Sequence, residues 1–270
     1  MHIDPIDRAE AMGAQGVLYW TGNAAKCRIM AQILADPRPQ LTVFDYGAGR
    51  GGDWPGILRW RKGLDVVCFE PYEPDADALR RALAGCPGRV LTRAEFEAAD
   101  FKADYIVSFS VLEHVFDRGA YLRHAKQLLA PDGVFHLNYD DGHFRTSLDL
   151  DEARGWKLNI AETLQNRLAW LWPRTRRIGL YQSRVYKAAI DAMIADCGFR
   201  IAAERYENLA SLKSIAKTVP PARTQEFTRF WLEVEETLNT RFRFEAEERR
   251  GDRANLWREM GSRTLTLHHA

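Results

Sequence analysis

The stretch VFDYGAGRGGDW, Val43 to Trp54, places Gly47, Gly49, Gly51 and Gly52 behind Asp45 at the end of a short apolar run. Glycine inside a regular element costs about 0.5–1 kcal/mol relative to alanine, so this cluster marks a loop that something approaches closely. Gly47, Gly49 and Gly52 fit G-x-G-x-x-G after a strand, the context of a dinucleotide-type fold. Glu70 ends the next apolar run, at the offset where an acid takes a ribose hydroxyl pair. The two together point to an adenosine-type ligand on an α/β sheet. Asp45 separates the candidates. A carboxylate at the strand's carboxyl end repels a pyrophosphate but attracts a ligand carrying an ammonium and a sulfonium. Gly51 extends the pattern to D-x-G-x-G-x-G.

Around this loop the chain alternates short apolar runs with amphipathic stretches. LTVFDYG, LDVVCFE, RVLT, DYIVSFS and GVFHLNY read as buried strands, with DADALRRALAG and GAYLRHAKQLLA as helices between them. In the second helix Leu122, Ala125 and Leu129 recur at helical spacing, and PDG is expected to close it before the next strand. This rhythm means crossover units and a parallel sheet covered on both faces. Past residue 145 it changes. Residues 150–185, with Trp156, Trp170, Trp172, Arg174, Arg176 and Arg177, read as a helical insertion on the substrate side. VYKAAIDAMIADCGF reads as a helix stopped at Gly198, RIAAERYEN and LKSIAKTV as strands, and residues 222–262 as helix with Phe227, Phe230, Trp231, Val234 and Leu238 on its apolar face. The expected division is an N-terminal helical cap (1–40), a binding domain (41–220) and a helical C-terminal extension (221–270) that packs on the core or forms a homodimer.

The 270 residues carry 38 Lys and Arg against 37 Asp and Glu, which gives no overall electrostatic case for nucleic acid or anionic membrane. Cys27, Cys68, Cys86 and Cys197 are far apart and form no C-x-x-C pair. With no signal-peptide pattern at the start, they read as reduced thiols of a cytoplasmic protein. No apolar run approaches the roughly 20 residues that span a bilayer.

FDYGAGRG, CFEP, ADYIVSFSVLEHV and LLAPDGVFHLN together resemble class I S-adenosylmethionine-dependent methyltransferases, in the pattern of the ubiquinone-pathway small-molecule enzymes, over roughly residues 40–140. The resemblance implies a Rossmann-like, doubly wound, mostly parallel seven-stranded sheet whose last strand inserts antiparallel. It also implies S-adenosylmethionine as cofactor. Asp45, Gly47, Ala48, Gly49 and Gly51 would surround its methionine moiety. Glu70, followed by Pro71, would take both ribose hydroxyls, Glu95 would meet the adenine, and Ser110 to Glu113 would line the crevice beside the methyl. Tyr19 and Trp20, in YWTGNAAK, would close over the cofactor.

Methyl transfer to a hydroxyl needs a base at a strand carboxyl end. The candidates are His114 in SVLEHVFD, and His143 with Asp140 and Asp141 in NYDDGHF. His136 and His124 read as structural, and His268 and His269 as solvated. Metal-dependent relatives carry E-x-x-E-H; here Ser110 replaces the first acid, and no metal is assigned to Glu113, His114 and His143. The N/D-P-P-Y/F segment used on exocyclic or amide nitrogens is replaced by SFSV, which turns the reading from DNA toward an oxygen on a small molecule or a sugar or glycan intermediate. Two alternatives stay open: a nicotinamide-dependent oxidoreductase, which Asp45 disfavours, and a non-catalytic partner subunit that keeps the fold.

Overall fold

The computed structural model describes residues 23–140, 181, 185–241 and 260–270. Its frame is one seven-stranded sheet. The strands are β1 (Leu41–Tyr46), β2 (Leu64–Phe69), β3 (Gly88–Leu91), β4 (Ala103–Phe109), β5 (Leu129–Asp140), β6 (Phe199–Leu209) and β7 (Met260–His269), in the spatial order β3-β2-β1-β4-β5-β7-β6. The first five run parallel, and β7 runs antiparallel to both its neighbours. The helices among the described residues are α1 (Ala24–Ala35), α2 (Trp54–Trp60), α3 (Glu73–Ala82), α4 (Arg93–Glu97), α5 (Arg118–Leu128), α6 (Lys187–Asp196), α7 (Ala210–Ala216) and α8 (Thr224–Arg241).

Strand period explains the two cores. In β1, Leu41 and Val43 enter a cluster with Ile29 and Ile33 of α1, Ile57 and Leu58 of α2, and Trp231 of α8. Phe44 and Tyr46 point the other way, to Leu122 and Leu128 of α5 and to Ile190 and Ile194 of α6. A strand buried on both faces must be apolar almost throughout, and LTVFDY is. The one charged residue, Asp45, falls on the α1–α2 face. Gly198, at φ +77°, stops α6 as its position predicts.

Four expectations are corrected. PDG does not separate helix from strand: Leu129 already pairs with Ala103 and Val134 with Tyr105, so residues 130–133 bulge within β5. LKSIAKTV is not a strand. Leu212 and Ala216, four apart, pack on the core from α7, a helical spacing. The helical reading of the tail holds for α8 but not for residues 260–262, which begin β7. That strand, and no segment near residue 215, is the antiparallel insertion between β5 and β6. His268 and His269 are consequently half-buried in the sheet; the His269 ring stacks on Phe199 with its Nε2 3.4 Å from the Leu129 carbonyl. His136 is buried as expected, against Tyr105.

Polar groups tie α1 to β6 and β7. Asn208 Oδ1 accepts the Ala24 N–H at 2.8 Å, and Arg28 pairs with buried Glu207. Thr264 donates to Glu207, while Asn138 donates to Ser262 (3.0 Å) and Thr264 (2.9 Å). On the other face Arg263, fully buried, bonds Asp191, Glu204 and Tyr139. No described helix is long and apolar enough to cross a membrane.

Candidate functional site

β1 and β4 are neighbours whose connections run to opposite sides of the sheet, which opens a crevice at their carboxyl ends. The glycine loop leaves β1 there. Gly47 and Ala48 N–H both donate to the Phe69 carbonyl, at 2.9 and 3.1 Å, closing the loop against β2. Gly47, Gly49 and Gly51 have φ of +91°, +55° and +56°. At Gly47 a Cβ would stand 2.4 Å from Val111 Cγ2, so the loop is packed directly on the segment after β4. At Gly49 a Cβ would meet nothing within 4 Å, which leaves room for a ligand to lie on backbone.

Glu70 reaches back over this loop. Its Oε2 accepts the Gly49 N–H and its Oε1 the Tyr72 N–H, both at 2.8 Å. Each oxygen retains a further lone pair. Burial raises the Glu70 pKa, against those two bonds. Pro71 follows, half-buried. Asp45 is buried and accepts the Trp54 indole N–H at 2.7 Å. Burial pushes it up to about 6, opposed by Lys26 and the indole.

Lys26 was not singled out by sequence reasoning. It lies in the first turn of α1, whose N-cap Asn23 accepts the Lys26 N–H at 3.0 Å, and its ammonium pairs with buried Asp53 close to Asp45. Burial opposes that charge, yet Asp53 and Asp45 outweigh it and hold its pKa above the usual value. The sequence signal was Asn23 as a helix cap. It starts α1 at the crevice and fixes which side chains face in.

Across the crevice, Ser110 follows β4 in a left-handed conformation, φ +54°, with its N–H on the Asn138 carbonyl at 3.0 Å. This φ is uncommon outside glycine and marks a constrained turn. A 3-10 turn, Leu112–His114, follows. Its Glu113 is buried, and Oε1 accepts the Asp140 N–H at 3.3 Å. His114 Nδ1 lies 3.1 Å from the Tyr181 carbonyl. A carbonyl only accepts, so Nδ1 carries the proton and Nε2 is the basic nitrogen. The structure therefore brings Ser110, Glu113, His114 and Asp140 to one end of the crevice. Tyr19, His143, Asp141 and most of the 150–185 insertion lie outside the described residues. Among the described residues no three His, Cys, Asp or Glu side chains converge as a metal site.

Glu95 is engaged elsewhere. Its Oε2 accepts the Thr92 N–H at 2.7 Å and the Thr92 hydroxyl at 2.8 Å, while Thr92 Oγ1 accepts the Glu95 N–H. This is a capping box at the start of α4, legible in TRAE as T-x-x-E. Both bonds fall on one oxygen of an exposed carboxyl and tie Glu95 to the helix terminus. Thr92→Ala is expected to cost about 1 kcal/mol of stability, and Glu95→Gln to leave S-adenosylhomocysteine affinity unchanged. An affinity loss of about tenfold in a calorimetric titration of Glu95→Gln would return that residue to the ligand.

A family model described as a methyltransferase domain matches residues 20–203. No curated protein matches the sequence. Among solved structures, the mycolic acid cyclopropane synthase CmaA1, in complex with SAH and CTAB, is 18% identical with a TM-score of 0.55, over 98% of this chain and 95% of that one. The cyclopropane synthase MmaA2 from Mycobacterium tuberculosis is 19% identical with a TM-score of 0.51, over 98% and 94%. The mitomycin 7-O-methyltransferase MmcR is 18% identical with a TM-score of 0.49, and this chain spans 59% of its length. At such identity the likeness carries the fold alone.

Proposed function

The chain belongs to the methyltransferase-domain family, and from that premise we propose that it methylates a hydroxyl oxygen of a small molecule or sugar intermediate. Its cofactor is S-adenosylmethionine. When bound, the cofactor supplies an electrophilic methyl on a sulfonium, so the chain has mainly to orient the acceptor and take its proton. Asp45 and the open backbone at Gly49 would hold the amino-acid end, with the Lys26 ammonium toward its carboxylate. The remaining lone pairs of Glu70 would accept the ribose hydroxyls.

The observation that supports an oxygen acceptor is the fixed tautomer of His114. It presents a basic nitrogen in the same turn as Glu113 and beside the end of β5, where Asp140 stands. A base so placed suits an acceptor atom that must lose a proton. His143 and the Trp- and Arg-bearing insertion are proposed to complete the acceptor side.

The test is a screen of hydroxylated small molecules and sugar nucleotides with methyl-labelled S-adenosylmethionine, followed by His114→Ala on the acceptor found. Turnover is expected to fall by about 10²–10⁴, the range for losing a general base, with S-adenosylhomocysteine affinity unchanged. Methylation at carbon, or full turnover in the variant, would sink the reading.

A further inference from the structure

Glu113 stands in the turn after β4, against the end of β5, with a carboxyl whose two oxygens fare unequally. Oε1 takes a long bond from Asp140 N–H, 3.3 Å, the residue's own backbone N–H also favours the charged carboxyl, and Oε2 is buried without a hydrogen-bond partner. The residue is 2% exposed. An ionised carboxylate so placed gives up its hydration for two backbone N–H contacts, its own and that of Asp140, with Oε2 left bare, whereas the neutral acid gives up far less.

The surrounding groups deepen the asymmetry. Asp140, at the end of β5, adds a negative charge. Arg118, at the start of α5, opposes it, but its Nε is turned to the Leu112 carbonyl at 3.1 Å. Tyr121 of α5 donates to Ser108 at 2.7 Å and lies within electrostatic range of both Glu113 and Asp45. His114, the next residue, is held by Tyr181. Burial, with Asp140 adding to it, pushes Glu113 up to about 8. The segment that carries it rests on the glycine loop through Val111 and Gly47.

We propose that Glu113 holds a proton in the free crevice and yields it when the positively charged methyl donor binds, so that the chain tells donor from product by charge. The inference rests on the methyl-transfer reading. The donor bears a sulfonium, whereas the product is a neutral thioether. A cation nearby favours the carboxylate, and its loss favours the acid. With a hydroxyl acceptor the protons balance. The sulfur–methyl bond breaks, an oxygen–methyl bond forms, the acceptor's hydroxyl proton passes to His114 and from there to solvent, and Glu113, which gave a proton to solvent on donor binding, takes one back once the positive charge is gone.

Calorimetric titration of the full chain with S-adenosylmethionine, and separately with S-adenosylhomocysteine, counts the protons exchanged. It is run at about pH 7 in buffers of different ionisation enthalpy. The donor is expected to release up to about one proton more than the product, and Glu113→Gln to remove that excess. The sign follows from competition: below the pKa of Glu113 a proton must leave before the charge pair forms. The wild-type preference for donor over product therefore rises by up to about tenfold per pH unit between about pH 6.5 and 8 and then levels. In Glu113→Gln that rise disappears. The donor's own ammonium is common to both proteins and cancels in the comparison. Asp45, pushed up only to about 6, is mostly ionised across this window.

Infrared difference spectra of the wild-type chain read the same event without a variant: the protonated-carboxyl C=O band is lost with donor and kept with product. Equal proton counts for donor and product, an excess that survives Glu113→Gln, or a band unchanged by donor would overturn the proposal. None of these measurements uses an acceptor, so an empty acceptor screen is a separate result.

Discussion

Gly47→Ala is expected to destabilise the fold by roughly 2–4 kcal/mol and to weaken S-adenosylhomocysteine binding at least about tenfold. Two independent costs add. At φ +91° an L side chain is strained, and the new methyl would stand 2.4 Å from Val111 Cγ2. The strain belongs to the backbone and stays. The clash belongs to a side chain and can be relieved, so adding Val111→Ala should restore part of the stability but not all of it. Urea denaturation separates the two terms, and calorimetry reads the ligand. A single variant within about 0.5 kcal/mol of wild type would mean that the loop does not need its left-handed entry, and the cradle described for the cofactor would lose its basis.

Glu207→Ala is expected to cost about 3–5 kcal/mol, because it leaves Arg28 buried without its ion-pair partner and Thr264 without its acceptor. Glu207→Gln, which keeps an acceptor for Thr264 but not the charge, should cost less. The loss is not confined to stability. Arg28 lies in the same helix as Lys26, so loosening the tether to β6 frees the cation that sits beside Asp45 and Asp53. Donor affinity should drop together with the denaturation midpoint. A stability change below about 1 kcal/mol would show that Arg205, whose Nε lies 3.8 Å from Glu207, leaves the tether redundant.

These two residues also mark what the sequence could and could not tell. β1 to β5 were legible because strands buried on both faces must be apolar runs, and the glycine loop was legible because its conformations need glycine. β7 was not. In MGSRTLTLHH, Ser262, Arg263 and Thr264 are as buried as Leu265 and Leu267, so the strand reads as a polar tail until its partners Asn138, Asn208, Glu207, Asp191 and Glu204 are placed around it. α7 was misread because two apolar residues four apart are a thin helical signal beside β-branched Ile215 and Thr218. Around the crevice, Asp45 and Glu70 were proposed from motif and spacing, His114 from its place after the fourth strand, and Ser110 from the family resemblance. The raised proton affinity of Glu113 could not, since it arises from burial and from Asp140, a residue 27 positions away that the sheet brings alongside.

The position of β7 bears on how the molecule is made. Residues 260–269 fill the gap between β5 and β6, so until a ribosome has released them the nascent chain has a five-strand parallel half with an open edge at β5 and a β6 with nothing to pair with. An open edge of this kind recruits strands from other chains. The vulnerable interval is therefore the one before β7 emerges, and a chaperone that shields β5 would matter most then.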